Sequence, residues 1–224
     1  MKNTESILLK CYLAVELILL IIGVATYETE GFDICTIARY GAIALNAVIA
    51  LIWYIRYGRQ DRKDRSNLLA YGLFVTLIAD YFLTWLGTEE YYIPGFILFC
   101  IVQLIYVVYL RTDKKGYLIR LVLYIAALIG LILSGESTVA LAIGLFDIIL
   151  ILANAVSACT VHKNDAHLLF RIGIILFFLC DISIVICNIT EGTFSLVVDY
   201  LTWAFYAPSQ VLITLAYVKS IKEN

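Results

Sequence analysis

The chain has 224 residues, of which 62% are hydrophobic, and its mean hydropathy is +0.93. No soluble domain of this size has such a composition, so soluble enzymes and soluble binding modules are excluded. The net charge is only −2 and the basic residues lie in short loops, which makes nucleic acid a poor partner. Membrane lipids are the partners that this composition predicts.

Eight apolar windows are long enough to cross a bilayer, since a spanning helix needs about 20 mostly apolar residues. They predict an all-α fold, a bundle of eight transmembrane helices in a single integral membrane domain that covers residues 1–224. The first window is followed by no small-residue cleavage site, so it is predicted to be an uncleaved helix. The windows are Ile7–Tyr27, Cys35–Tyr57, Leu68–Gly87, Tyr92–Leu110, Tyr117–Ser134, Ser137–Cys159, Leu168–Ile189 and Leu196–Val218.

Polar side chains interrupt several of these windows. We interpret Arg39, on the second predicted helix, either as a partner of Asp199 or Asp33 or as a residue that binds the substrate. Gln103 and Tyr106 share one face of the fourth helix and are predicted to hydrogen-bond across the interior. The remaining candidates lie on the last three predicted helices. They are Asp147, whose carboxyl group lies at mid-depth, and Asn188, Tyr206 and Gln210.

Asp80 and Asp181 are the most informative of the polar residues. Each ends a similar segment, AYGLFVTLIAD and RIGIILFFLCD, in which a glycine precedes the aspartate by eight residues. A carboxylate at the bilayer centre costs roughly 2.5–3.5 kcal/mol, so such residues face a bundle interior and are functional candidates. The alternative is that each aspartate only hydrogen-bonds a neighbouring helix. The repeated spacing also suggests a weak internal repeat of four plus four helices in parallel orientation.

Charged residues alternate between the loops. Lys and Arg lie at both termini and in every second loop, whereas the other loops are acidic. The positive-inside rule therefore predicts cytoplasmic termini and an even number of helices. We expect a multi-pass protein of a bacterial plasma membrane, and the sequence does not predict its oligomeric state.

Several catalytic classes are disfavoured by the inventory of side chains. Both histidines, His162 and His167, fall in a loop, and the six cysteines form no C-x-x-C pair. No G-x-S-x-G motif is present, so neither a serine hydrolase nor a metal or other cofactor is predicted. The carboxyl groups on the predicted helices remain as candidates for catalysis. One protonated and one ionised carboxyl group can provide general acid catalysis and stabilise a positive intermediate.

Four segments resemble the YhhN-like lysoplasmalogenases, a family of multi-pass membrane proteins with about eight helices. The segments are GLFVTLIADYFLTW, PGFILFCIVQLIYVVYL, GIILFFLCDISIV and TWAFYAPSQVLITLAYV. The resemblance implies that the two motif aspartates are Asp80 and Asp181 and that the motif tyrosine and glutamine of the last helix are Tyr206 and Gln210. The chain departs from many members at Ala79, where they have glycine, and at Gln103, where they have histidine.

The family's reaction is hydrolysis of the vinyl ether of lysoplasmalogens to a fatty aldehyde and a glycerophospho-base. The resemblance therefore implies a lysophospholipid substrate, with Asp80 and Asp181 as the catalytic pair and no cofactor. We expect the two aspartates to share a cavity with Gln103, Tyr206 and Gln210 that opens to the outer side. Two alternatives stay open, namely a lipid-binding protein without catalysis and a proton-coupled transporter in which the carboxyl groups relay protons.

Overall fold

The computed structural model of the protein describes residues 2–26, 34–58, 65–135, 138–161, 164–189 and 193–222. Within these ranges the regular structure is helical, and eight helices are long and apolar enough to cross a membrane. The predicted eight-helix fold is therefore confirmed. The helices are α1 (Lys2–Ala25), α2 (Ile34–Trp53), α3 (Asn67–Asp80), α4 (Glu89–Tyr109), α5 (Lys114–Leu133), α6 (Val139–Thr160), α7 (Asp165–Ile189) and α8 (Thr193–Lys222).

Several helices are longer than the apolar windows that predicted them. α1 begins at Lys2 instead of Ile7, and α8 continues to Lys222, four residues beyond the end of its window. The windows measure only the hydrocarbon-compatible part of a helix, which spans about 30 Å, whereas a helix of 30 residues is about 45 Å long. Both ends of such a helix therefore reach into the polar interface.

Two segments have π-helical geometry that the sequence did not predict. Tyr54–Gly58 extends α2, and Tyr81–Leu86 extends α3 directly after Asp80. The second segment ends at Gly87, which adopts a left-handed conformation with φ of +59°. Such π-helical turns are rare in proteins, and those that occur are often found at functional sites.

The most extensive contacts between helices are those of α7 with α8 and of α3 with α4. Two glycines make these approaches possible. A Cβ atom at Gly72 would lie 2.6 Å from the ring of Tyr106 on α4, and one at Gly173 would lie 3.1 Å from the backbone oxygen of Ser209 on α8. The glycine of each repeated segment thus allows the following helix to approach, and the aspartate comes eight residues later.

α5 lies at the periphery of the bundle. Its strongest contacts are with α6, and in the described ranges its one buried residue is Arg120. Arg120 lies inside the predicted window Tyr117–Ser134, near its start. α5 in fact begins at Lys114, so Arg120 lies almost two turns inside the helix.

Salt bridges and a hydrogen bond join helix ends at one end of the bundle. Lys222 Nζ lies 2.9 Å from Glu5 Oε2, which brings the end of α8 to the beginning of α1. Lys219 pairs with Asp165 at the start of α7, with an N to O distance of 2.5 Å. Arg65 Nη1 donates to Val108 O near the end of α4, at 2.9 Å. We call this end the basic end and the opposite one the acidic end.

Candidate active site

Asp80 lies at the point where α3 changes from α-helical to π-helical geometry. Its side chain is 3% exposed. The Tyr206 hydroxyl group donates a hydrogen bond to Asp80 Oδ2, although the two residues are 126 positions apart in the sequence. Thr84, one turn later in the π-helical segment Tyr81–Leu86, lies near the same carboxyl group. Gly72 and Thr76, which precede Asp80 by eight and four residues on α3, are buried as well.

Asp181 on α7 is close enough to interact electrostatically with Asp80, Asp147 and Tyr206. Its Oδ2 atom is buried, and so is Oδ1 of Asp147 on α6. Neither oxygen has a hydrogen-bonding partner in the part of the chain that the structure describes. Three carboxyl groups from three helices thus share one region of the interior, and two of them retain unoccupied acceptor oxygens.

The three carboxyl groups lie at similar depth. Asp80 is six residues from the acidic end of its helical segment at Leu86, whereas Asp147 and Asp181 are each eight residues from the acidic ends of α6 and α7. At 1.5 Å per residue these intervals correspond to about 9–12 Å. The carboxyl groups therefore form a layer about two turns below the acidic end.

Arg39 lies on the acidic-end side of the bundle, next to Trp203. Its guanidinium carbon is 5.4 Å from the centre of the Trp203 ring, a cation–π arrangement. Gly23 on α1 leaves the space for this pair, because a Cβ atom there would lie 2.8 Å from Trp203 Nε1 and 3.3 Å from Arg39 Cγ. Arg39 also interacts electrostatically with Cys180, the residue before Asp181. The side chains of its predicted partners, Asp33 and Asp199, lie outside the described part of the structure.

Aromatic rings hold Tyr206 in place. Its ring centre lies 5.5 Å from that of Phe177 and 6.0 Å from that of Trp203. Tyr40 on α2 is near enough to interact electrostatically with Asp80 and packs against Trp85. Sequence reasoning did not single out Phe177 or Trp203. Helical spacing could have found them, because they lie four residues before Asp181 and three before Tyr206, on the same faces.

Gln210 follows Tyr206 by one turn of α8 and is 1% exposed. Its amide nitrogen donates to the hydroxyl group of Ser209 at 3.3 Å. Its Oε1 atom is buried and accepts no hydrogen bond from any described residue. Gln210 therefore lies on the same helix face as Tyr206 and keeps one acceptor available in the interior.

Gln103 and Tyr106 lie closer to the basic end than the carboxyl groups do. Gln103 accepts two hydrogen bonds from Asn154 Nδ2, at 2.9 Å to its backbone oxygen and 3.1 Å to Oε1. Tyr106 packs against Gly72, which precedes Asp80 by about 12 Å of helix. The structure thus brings Gln103 to Asn154 and Tyr106 to Gly72. Asn188 lies on α7, but its side chain is outside the described part of the structure.

A second buried polar cluster, which sequence reasoning did not predict, joins α1, α2 and α8. Asn46 Oδ1 accepts hydrogen bonds from the hydroxyl groups of Tyr12 and Thr214, both at 2.7 Å. Asn46 Nδ2 donates to Glu16 Oε1 and to Ala42 O, both at 2.9 Å. Thr214 lies two turns beyond Tyr206 on α8, so this cluster anchors the helix that carries the tyrosine.

The arrangement around Asp80 has the groups that acid and base catalysis requires. A protonated carboxyl group can deliver a proton, and an ionised one can accept a proton from water or stabilise a cation. The phenol of Tyr206 orients one oxygen of Asp80, and Asp181 keeps a buried oxygen for a substrate or water. The Asp80 side chain and the Oδ2 atom of Asp181 are buried, and electrostatic stabilisation is stronger in such a water-excluded site than in bulk solvent.

A family model described as the YhhN family matches residues 39–217. The matched region runs from α2 to α8 and contains Asp80, Asp147, Asp181, Tyr206 and Gln210. α1 precedes it. No curated protein and no solved structure shows significant similarity to the chain.

Proposed function

We propose, since the chain belongs to the YhhN family, that it is an intramembrane hydrolase of the lysoplasmalogenase type. The substrate class is a lysophospholipid whose single chain is attached through a vinyl ether. The observation that supports this proposal most directly is the hydrogen bond from Tyr206 to Asp80 with Asp181 in electrostatic range of both residues. Vinyl ether hydrolysis requires one group that donates a proton and one that stabilises the cation, and a pair of carboxyl groups can supply both.

In the proposed reaction Asp181, whose Oδ2 atom has no described partner, acts as the general acid. It transfers its proton to the alkenyl carbon that is not bonded to oxygen. The remaining carbon and the ether oxygen then form an oxocarbenium ion, as at a glycosidic bond. Asp80, bound by the Tyr206 hydroxyl group, is the ionised partner that stabilises this cation.

Water then completes the reaction. Asp80 accepts a proton from a water molecule as the water oxygen bonds to the cationic carbon, which gives a hemiacetal. As the hemiacetal breaks its bond to the glycerol oxygen, Asp80 passes its proton to that oxygen. The hemiacetal hydroxyl group gives its proton to Asp181, which forms the aldehyde and restores both carboxyl groups to their starting states. The products are a fatty aldehyde and a glycerophospho-base, and the sum of the steps consumes one water molecule.

The substrate is proposed to enter from the acidic end. The carboxyl layer lies about 9–12 Å below that end, so a lysolipid whose headgroup dips modestly into the bundle brings its vinyl ether to the site. Arg39, held over Trp203, is the proposed ligand for the phosphate. By the positive-inside rule the acidic end faces away from the cytoplasm, with both termini cytoplasmic.

The test is aldehyde release by the purified protein in detergent with an alkenyl lysophosphatidylethanolamine as substrate. Asp80→Asn and Asp181→Asn are each expected to lower the rate by roughly 10²–10⁴, the usual contribution of a general acid or base. The matched control is Asp165→Asn, which changes an exposed aspartate on the same helix as Asp181. Size-exclusion chromatography and circular dichroism verify that each variant folds.

The alternatives predict different results in the same preparation. A lipid-binding protein without catalysis would retain lysoplasmalogen and release no aldehyde. A proton-coupled transporter would change the internal pH of proteoliposomes on addition of its substrate. If the wild-type protein releases aldehyde and either asparagine variant keeps a near-normal rate, the carboxyl-pair mechanism is wrong.

A further inference from the structure

Arg120 is the buried residue of a helix that otherwise faces outward. It is 5% exposed, whereas its neighbours Leu118 and Leu121 are 60% and 54% exposed. It lies six residues after the start of α5, which places it about 9 Å from the basic end. Burial of a cation inside a membrane bundle is costly unless an opposite charge or hydrogen bonds compensate for it.

The hydrogen-bonding partners of Arg120 are all neutral. Nη1 donates to Gly116 O, and Nη2 donates to Asn154 Oδ1 and Ser157 Oγ, each at 3.1 Å. Nε is buried and has no partner among the described residues. Asp113 is close enough to interact electrostatically, but its carboxylate accepts a hydrogen bond from Gly116 N and caps α5. No described carboxylate forms a salt bridge with Arg120, so its charge lacks a direct counterion in this part of the chain.

Further donors surround the guanidinium group. The Thr112 hydroxyl group is buried without a described partner, and so is the amide nitrogen of Gln103, whose other atoms are held by Asn154. Gly116 lets Thr112 approach Arg120. A Cβ atom at position 116 would lie 2.5 Å from Thr112 Cγ2 and 3.1 Å from Arg120 Nη1. The cluster therefore has more hydrogen-bond donors than acceptors. A cation site needs acceptor atoms, so this cluster is suited to an anion instead.

Positive charge continues from this cluster to the surface. Lys114 and Lys115 are exposed on the first turn of α5. Next to them, Tyr117, Leu118 and Leu121 present an exposed apolar strip along the same helix. Basic pockets beside such strips at the cytoplasmic side of membrane proteins bind the headgroups of anionic lipids.

We propose that Thr112, Lys114, Lys115 and Arg120 bind the phosphate of an anionic phospholipid in the leaflet at the basic end. The two lysines hold the phosphate at the surface, Thr112 donates a hydrogen bond to it, and its negative charge offsets that of the buried guanidinium. The acyl chains lie along the exposed strip of α5. This site is separate from the carboxyl layer near the acidic end, and it does not depend on the proposed hydrolysis.

The experiment measures the thermal unfolding midpoint of the full-length protein in dodecyl maltoside. Dioleoyl phosphatidylglycerol, dioleoyl phosphatidylcholine and inorganic phosphate are added in separate titrations. Phosphatidylglycerol is expected to raise the midpoint by about 3–5 °C, as a ligand does that binds only the folded state in excess over its Kd. Phosphatidylcholine and inorganic phosphate are expected to give shifts less than half as large.

The variants identify the site. The double variant Lys114→Gln/Lys115→Gln changes only exposed residues, and it is expected to lose at least half of the shift that phosphatidylglycerol produces. Arg120→Gln is expected to lose more, provided that it folds. The matched control is Arg56→Gln, an exposed arginine at the basic end of α2, which should keep the full shift.

Three results would overturn the proposal. Equal shifts with phosphatidylglycerol and phosphatidylcholine would show no preference for anionic lipid. An equal shift with inorganic phosphate would assign the cluster to free phosphate instead of a lipid. A full shift in the double lysine variant would place the lipid elsewhere on the protein.

Discussion

The Tyr206 hydroxyl group links α8 to the carboxyl group of Asp80 and is the contact on which the proposed mechanism depends most. Tyr206→Phe removes this donor and keeps the ring that packs on Phe177 and Trp203. A hydrogen bond to a charged group contributes about 1.5–3 kcal/mol, so kcat/KM for aldehyde release should fall roughly 10–100-fold.

Tyr217→Phe is the control for this change. Tyr217 is a buried tyrosine on the same helix, and its hydroxyl group donates to Asn67 Oδ1 at 3.2 Å near the basic end. It should keep near-normal activity. Equal losses in the two variants would indicate a general effect of hydroxyl removal from α8, and full activity of Tyr206→Phe would contradict the role of the phenol.

At the scale of single residues, depth and residue type predicted which side chains enter the bundle. Asp80, Tyr206 and Gln210 were expected in the interior and are buried there. Their partners were harder to predict. Gln103 binds Asn154, which is 51 residues away, because the rotation of α4 and α6 about their axes decides which faces meet. A single sequence shows which face of each helix is polar. It does not show how two helices are rotated about their axes, and this rotation decides which polar faces meet.

α1 is the most peripheral of the elements that touch α8, and it precedes the region matched by the family model. It nevertheless contributes Tyr12 and Glu16 to the cluster around Asn46. Asn46→Ala breaks hydrogen bonds to three residues on other helices. Interhelical hydrogen bonds in membranes contribute about 0.6 kcal/mol each, so the free energy of unfolding should fall by about 2 kcal/mol.

Unfolding in mixed micelles of increasing sodium dodecyl sulfate content, followed by tryptophan fluorescence, measures this loss. Thr160→Val is the control, because the Thr160 hydroxyl group is exposed and, among the described residues, bonds only to Ser157 O of its own helix. If Asn46→Ala unfolds at the same detergent fraction as the control, the cluster does not anchor α8.

The paired glycines act at the scale of helix packing. A Cβ atom at Gly173 would lie 3.0 Å from Ile213 Cγ1 and 3.1 Å from the backbone oxygen of Ser209, and a backbone atom cannot move aside without moving α8. Gly173→Ala should therefore destabilise the protein by about 1–3 kcal/mol, as overpacking of a close interface does. The same titration in sodium dodecyl sulfate measures the effect.

Gly144→Ala is the matched control for Gly173→Ala. It lies on α6, and no heavy atom of the described residues would be within 4 Å of its added Cβ atom. Its stability should be unchanged or slightly higher because alanine favours helix over glycine. Equal stability of the two alanine variants would contradict the packing role of Gly173.

The number and positions of the helices could be predicted from the sequence, but two features of these helices could not. Hydropathy located all eight helices, since each must present enough apolar residues to cross a bilayer. It could not predict the π-helical segment Tyr81–Leu86, because one extra residue per turn leaves the apolar composition unchanged. It also could not predict that Arg120, which lies inside the window Tyr117–Ser134, is buried. Hydropathy penalises a charged residue without regard to whether its neighbours can satisfy its hydrogen bonds, as Asn154 and Ser157 do here.

For the whole molecule, the loop charges and the buried polar groups divide the bundle into two halves. The carboxyl layer lies toward the acidic end, whereas Arg120 and its neighbours lie toward the basic end. Labelling in spheroplasts with a membrane-impermeant maleimide checks the orientation, using single cysteines introduced at Glu90 or Lys114 in a cysteine-free background. Glu90→Cys should be labelled and Lys114→Cys protected, and the reverse pattern or labelling of both would contradict it.

The orientation has a consequence for catalysis, because a lysolipid crosses a bilayer slowly compared with its diffusion within one leaflet. In the proposed orientation, spheroplasts present the acidic end to added lysoplasmalogen, whereas inverted membrane vesicles present the basic end. With equal amounts of protein, the initial rate of aldehyde release should be several-fold higher in spheroplasts, and solubilisation in detergent should make the two rates equal. Membranes that contain Asp181→Asn supply the background. A higher initial rate in inverted vesicles would place the entrance at the basic end, and the carboxyl layer would then have to receive its substrate through the length of the bundle.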